Sequence, residues 1–298
     1  MSGLQTVTEW GTPNLGQTVK ITKVLHEEDT PFQHIQIVDS LQYGKMLILD
    51  GVFQTSEKDE WAYHEMISHV PLMVHPHPER VLIIGGGDGG VLREAGKHPE
   101  LGGVAREVCR HECVTQVDLC DIDGRVIELS KEYFPHIAEV LLNPPEKLHV
   151  HVGDGIAFTK NVEDFYDVII IDCSDPIGPG EGLFTREFYR SACRALRKDG
   201  LIVQQSESPI VQEPLVHDIY CAMKDVFPIV RSYFSHVPLY PACMHSFMLA
   251  SKVYDPLTAE ITRKAPSPMR YYNEAIQKSC FVLPNFYKEC LFEGKYSF

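Results

Sequence analysis

The chain reads as a doubly wound α/β fold behind a small antiparallel β module, and three features of the sequence carry that expectation. An apolar run at residues 81–84 breaks at once into glycines, VLIIGGGDGG, as a buried parallel strand does when it turns into a helix. Four later apolar runs alternate with stretches of helical period, the rhythm of a parallel sheet with helices on both faces. Upstream, residues 17–56 alternate polar and apolar with turn signals between them, as antiparallel strands do.

Taken in order, TVKITKVLHEE, FQHIQIVDS and GKMLILDGVFQTS form the β module, with turns at residues 29–31, 40–44 and 50–51. The period then changes: Tyr63, Met66, Ile67 and Val70 fall at i, i+3, i+4 and i+7, one face of a helix over 59–74 that Pro71 and the His75-Pro76-His77-Pro78 run close. The expected boundary is therefore a β domain at 1–58 and a nucleoside-binding domain at 59–298. After the glycine turn a helix spans 89–97. Strands follow at 116–120, 148–152, 167–171 and 201–205, with helices at 125–134, 156–162, 185–196 and 214–227. Residues 229–234 and 246–251 read as an antiparallel closing pair. The segment 101–115 lengthens the first crossover; Cys109, His111 and Cys113 lie in it without a partner cluster of zinc spacing, so it reads as an inserted surface helix.

Composition narrows the function. With 298 residues the chain can bury a large core, and 27 Lys+Arg against 41 Asp+Glu give a net charge of −14. That balance argues against non-specific nucleic-acid binding and permits cationic substrates. Nine cysteines with no C-x-x-C pair suit a reducing cytosol, and the absence of a long apolar run or signal-peptide core predicts a soluble cytoplasmic protein.

Ligands of such sheets lie beyond the carboxyl ends of the strands, and the residues there are acidic. Gly85, Gly87 and Gly90 have the G-x-G-x-x-G spacing, which fits nicotinamide, flavin and AdoMet-type nucleoside binders as well as ordinary glycine turns. Asp88, inside that turn, either faces a cationic group on the ligand or caps the next helix. Asp121 and Asp123 follow the second strand, where a carboxylate accepts both hydroxyls of a ribose. Asp154-Gly155 follows the third, at an adenine edge or a helix cap. Asp172 and Asp175 open DCSDPIGPGEGLF, two carboxylates at a strand end before a Pro/Gly loop, the pattern of a cation site under a lid.

VLIIGGGDGGVLRE, DGVFQTSEKDEWAYHEM, HVGDG, DVIIIDCSDPIGP, VPLYP and FMLASK, in this order, resemble the spermidine synthases, the aminopropyltransferases of polyamine biosynthesis, over nearly the whole chain. The resemblance implies a Rossmann-like sheet of the class I AdoMet-methyltransferase kind and a homodimer. It also implies no bound cofactor or metal, with decarboxylated S-adenosylmethionine as co-substrate and putrescine as acceptor. By similarity Asp88 meets the aminopropyl ammonium and Asp121 the ribose. Asp154, Gly155 and Pro179 meet the adenine, and Gln33 contacts the same nucleoside. Tyr63, Asp172, Asp175 and Tyr240 line the diamine site, with Gln54, Gln205 and Glu207 as its outer wall. The chain departs from the family in reading Tyr63-His64-Glu65 where Y-Q-E is common, in the 101–115 segment, and in the N-terminus around Trp10.

The implied reaction displaces a neutral thioether by a primary amine. Such an amine has a pKa of about 10.4, so at pH 7 roughly one in a few thousand is free. Asp172 is the expected base or proton relay, Tyr63 and Tyr240 orient the nitrogen, and Asp175 and Glu207 neutralise the remaining charge. A putrescine N-methyltransferase using intact AdoMet, a non-catalytic nucleoside or polyamine sensor, and a nicotinamide dehydrogenase are the competing readings.

Overall fold

The computed structural model describes residues 5–86, 103–135, 137, 139–174 and 178–297. Strands β1 (Gln5–Thr12), β2 (Leu15–Asp29), β3 (His34–Ser40), β4 (Gly44–Leu49) and β5 (Val52–Ser56) form an antiparallel meander in sequence order. The β4–β5 turn is Asp50-Gly51, where φ values of 51° and 84° put both residues in the left-handed region that favours a two-residue hairpin.

The rest of the chain runs α1 (Trp61–Val74), β6 (Arg80–Gly85), α2 (Val104–Cys109), β7 (Gln116–Asp121), α3 (Gly124–Tyr133), α4 (Glu139–Leu142), β8 (Leu148–Val152), α5 (Gly155–Lys160) and β9 (Tyr166–Asp172). A 3-10 turn over Gly178–Phe184 leads to α6 (Arg186–Ala195), β10 (Leu196–Gln205), α7 (Glu213–Lys224), β11 (Ile229–His236), β12 (Met244–Ser251), α8 (Glu274–Ser279) and α9 (Asn285–Glu293). The second sheet has the order β11-β12-β10-β9-β6-β7-β8. Its five strands from β10 to β8 are parallel, and β11 and β12 close it antiparallel.

Period-two alternation sorts the sheet's side chains onto two faces. Ile83, Val168, Ile170 and Val203 join a core with Met66, Ile67 and Val70 of α1 and with Ile35, Ile37, Leu47 and Leu49 of the first sheet, so α1 and both sheets share one core. Leu82, Ile169, Ile171 and Ile202 pack on the other face against Phe188 and Tyr189 of α6 and Val216 and Ile219 of α7. Among the described residues no helix is long and apolar enough to cross a membrane.

Three expectations are corrected. The β module begins at Gln5, not residue 17, because the alternation of QTVTEW continues the meander as β1. Helix α1 ends at Val74 as expected, with Pro71 inside its last turn and the His75 N–H closing it on the Pro71 carbonyl at 3.1 Å. It is not amphipathic, however, for every residue from Ala62 to Val74 is buried. Of its polar side chains, Glu65 accepts from the backbone N–H groups of Arg270, Tyr271 and Tyr272 at 2.7–2.8 Å. The 101–115 segment is no surface helix: Val104, Ala105, Glu107 and Val108 are buried, and the three apolar ones join the core of α1. The expected helix at 89–97 lies outside the described residues.

Candidate active site

The strand order reverses between β6 and β9, and their carboxyl ends open the crevice where sheets of this kind place a ligand. Gly85 and Asp172 are register partners across that switch point, and the Gly86 N–H donates to the Asp172 carbonyl at 2.8 Å. Sterics require glycine here. At Gly85 φ is +81° and a Cβ would lie 1.9 Å from the Asp172 carbonyl oxygen; at Gly86 φ is +69° and a Cβ would lie 2.9 Å from Asp172 Oδ2. Gly87 and Asp88 lie outside the described residues, as does Asp175. Pro179 falls in the 3-10 turn, its side chain outside them.

Above the switch point a cavity of about 300 Å³ opens between the two sheets. Every sequence-predicted site residue whose side chain is described lines it: Gln33, Gln54, Tyr63, His64, Gly85, Asp121, Asp154, Gly155, Asp172, Gln205, Glu207 and Tyr240. On one flank Asp121 ends β7, its Oδ1 accepting the Asp123 N–H at 2.8 Å. Asp154 caps α5 through the Ile156 N–H at 2.8 Å, so its capping role and its place on the cavity coexist. A Cβ on Gly155 would come within 2.4 Å of Ile84 Cγ2, so only glycine lets α5 start this close to β6. Gln33 reaches over from the first sheet and donates to Asp123 Oδ2 at 3.0 Å, beside the Thr30 hydroxyl at 2.8 Å.

On the other flank the Tyr63 hydroxyl donates to Asp172 Oδ1 at 2.7 Å. The Tyr240 ring stands edge-on to Tyr63 at 6.0 Å, held by its hydroxyl on the Gln54 carbonyl at 2.7 Å. Gln205 and Glu207 brace each other, Nε2 to Oε1 at 3.3 Å and backbone N–H to amide oxygen at 3.0 Å. Glu207 holds φ at +62°, a left-handed conformation that a non-glycine residue adopts at a cost and that often marks a functional site. Desolvation at the floor of the cavity pushes the Asp172 carboxyl above the usual range, against the opposing pull of His64 and of the Tyr63 hydrogen bond. Burial likewise lifts the Tyr63 phenol well above its usual value, with Asp172 adding to it. His64 is oriented by buried Glu60, Nδ1 to Oε2 at 2.7 Å across one helical turn.

Among the cavity residues that sequence reasoning did not single out are Glu9, Trp10, Asp50 and His245. The alternation of TVTEW was the available signal for Glu9 and Trp10, whereas nothing local marks His245. With Asp121, Asp154, Asp172 and Glu207, the additions Glu9 and Asp50 bring the carboxylates to six, and no Lys or Arg is among the described lining residues.

A different cluster could be mistaken for a metal site. His75, Asp167 and Asp199 place ligand-type atoms within 4.8 Å of one another at the opposite rim. His75 Nδ1, however, accepts the His77 N–H at 3.2 Å, which leaves the proton on Nε2 and no lone pair there for a metal. Asp167 is already spent on the N–H groups of Glu79 and Arg80 and on Arg197.

An open, mostly parallel α/β sheet with a ligand crevice at its switch point defines a doubly wound, Rossmann-like protein, and here the crevice is acidic. Residues 60–260 match the spermine/spermidine synthase domain, and residues 6–57 match the spermidine synthase tetramerisation domain. The chain belongs to the spermine/spermidine synthase family and is an aminopropyltransferase. It is 43% identical over 284 residues to the polyamine aminopropyltransferase of Bacillus subtilis (strain 168), covering 95% of this chain and 98% of that one. Against the polyamine aminopropyltransferase of Moorella thermoacetica it is 44% identical over 283 residues, 95% of each chain. A spermidine synthase crystallised with the transition-state analogue AdoDATO superposes with a TM-score of 0.87 at 35% identity, over 98% of both chains. The spermidine synthase of Thermotoga maritima gives 0.86 at 34% identity, over 98% of this chain and 97% of that one.

Proposed function

We propose that this protein is a spermidine synthase that moves the aminopropyl group of decarboxylated S-adenosylmethionine to putrescine and leaves methylthioadenosine. The observation that carries the reading is the cavity wall: six carboxylates and no described Lys or Arg, with the Tyr63–Asp172 pair at the switch point. Both substrates are cations, and such a wall accommodates them side by side. It disfavours intact AdoMet, whose amino-acid carboxylate it repels, and so disfavours an N-methyltransferase.

Asp121, Asp154, Gly155, Gln33 and His64 hold the nucleoside in this reading, with Gly87, Asp88 and Pro179 completing its side. Putrescine lies along Tyr63, Asp172 and Tyr240, with Asp175, Gln54, Gln205 and Glu207 around it, and Glu9 adds a carboxylate from the first sheet. The amine lone pair forms the new C–N bond while the C–S bond breaks and its pair stays on sulfur as a neutral thioether. The amine's surplus proton goes to Asp172. Two effects narrow the gap between a carboxylate and an alkyl ammonium: burial raises Asp172, and the adjacent sulfonium lowers the amine. Orientation by Tyr63 and Tyr240 supplies the near-attack geometry. Leaving-group departure needs neither metal nor acid.

Incubation of the pure protein with each sulfonium donor and a panel of amines, products read by mass spectrometry, tests the assignment. Spermidine and methylthioadenosine from decarboxylated AdoMet are expected; methylputrescine from intact AdoMet would replace the reading. We further propose a homo-oligomer assembled through the five-stranded sheet, with a dimer as its smallest form, which light scattering measures.

A further inference from the structure

His245 on β12 lines the cavity and has no part in the reading above. Its ring centroid lies 5.0 Å from Tyr240, 5.5 Å from Tyr63 and 5.4 Å from Phe247, so it completes an aromatic corner beside the Tyr63–Asp172 pair. The residue is 6% exposed, and its Nε2 is buried without a hydrogen-bond partner among the described residues. A buried polar atom left unpaired costs stability, and a native protein tolerates it mainly where a ligand supplies the partner. Phenylalanine, as found at 247, would fill this aromatic corner without that cost. Burial pushes the imidazole down to about 3, so at neutral pH it is uncharged and keeps one ring nitrogen as an acceptor. An uncharged acceptor suits a corner that receives a cation.

We propose that His245 binds the acceptor amine, taking a hydrogen bond from an N–H of the attacking nitrogen so that its lone pair is aimed at the transferred carbon. The inference rests on the aminopropyl-transfer reading. It adds to Asp172, which takes the proton, a second contact that sets direction. An amine between three rings and one carboxylate is then constrained at two of its hydrogens.

His245→Phe and His245→Gln, made in the full chain, separate this role from packing. The Phe variant keeps the aromatic wall and loses the acceptor; the Gln variant keeps an acceptor near the position of Nε2. Expected is a fall of ~10-fold or more in diamine kcat/KM for His245→Phe, with His245→Gln within ~3-fold of wild type. Methylthioadenosine affinity should stay unchanged in both. Wild-type kcat/KM in His245→Phe, or equal loss in both variants, would overturn the proposal. If wild type itself turns over no amine, the transfer reading fails separately. Calorimetric binding of putrescine to the methylthioadenosine complex then still decides: weakened in Phe and kept in Gln supports His245, whereas equal binding in both refutes it. That titration also serves if the Phe variant folds poorly, since His245→Gln against wild type must then keep putrescine affinity.

Discussion

Asp172 sits where two demands conflict. Its backbone completes the sheet opposite Gly85, and its side chain must carry charge in a place that burial makes unfavourable for charge. A carboxyl whose folded pKa exceeds its unfolded one favours folding least when ionised: the fold is most stable below the unfolded value and loses stability as pH rises through the folded one, about 1.4 kcal/mol per unit of displacement. Asp172→Asn keeps an oxygen for the Tyr63 hydroxyl and has nothing to ionise. Turnover should fall ~10²-fold or more, while urea denaturation at pH 8 should show the variant more stable than wild type, by a margin that shrinks toward pH 4. Wild-type turnover, or a margin that does not vary with pH, would remove Asp172 from this role. The position was legible because a strand end followed by D-x-x-D-P has few purely structural explanations. His245 was not, since one histidine between Met244 and Ser246 on a buried strand carries no local mark.

Among the elements, α1 carries more than its sequence announced. Its apolar face at Tyr63, Met66, Ile67 and Val70 predicts the helix, but its burial on all sides depends on partners far along the chain that no local pattern exposes. Glu65 is satisfied by residues 270–272, and His69 by α2 and the turn after it. There His111 Nε2 meets His69 Nδ1 at 2.9 Å and His69 Nε2 meets Glu107 Oε2 at 2.9 Å. Arg106, Arg110 and Arg263 close the cluster. Burial, helped by His69 and Arg263, depresses His111 to about 2. Glu107, despite its burial, is held well below the usual carboxylate range by His69, by Arg106 of α2 and by Arg110 at its C-cap. A histidine depressed in the folded state takes up its proton only on unfolding, so stability is lost as pH falls below about 6.5. His111→Gln keeps a donor for His69 and cannot protonate. Between pH 6 and pH 4.5 the wild-type stability curve should be steeper than the variant's by about 1.4 kcal/mol per pH unit. Parallel curves would mean that His111 titrates alike in both states. The core strands were readable because period-two apolar runs are local; this cluster was not, because it joins residues 69, 107, 111 and 263.

For the whole molecule, the net charge of −14 acquires a location. Most of the excess is solvated surface, yet six carboxylates face one cavity of about 300 Å³ between two sheets, in a low-dielectric setting where like charges repel. A bound cation relieves that repulsion, so part of the affinity for a diamine is electrostatic and falls as salt screens it; the Debye length shrinks from about 30 Å at 0.01 M to about 8 Å at 0.15 M ionic strength. Methylthioadenosine carries no charge at neutral pH and supplies an internal control on the same protein. Between those two ionic strengths diamine kcat/KM should fall ~5-fold or more, whereas methylthioadenosine affinity, followed by calorimetry, should change little. If both fall together, salt acts on the fold or on the entrance common to both ligands. If neither falls, the cavity carboxylates are neutralised from within, and the acidic wall does not select the substrate. The two sheets together are what make the contrast measurable: Asp121, Asp154, Asp172 and Glu207 come from the parallel sheet and its loops, Glu9 and Asp50 from the meander. Removing the meander's two carboxylates as Glu9→Gln and Asp50→Asn should therefore flatten the salt dependence without abolishing it.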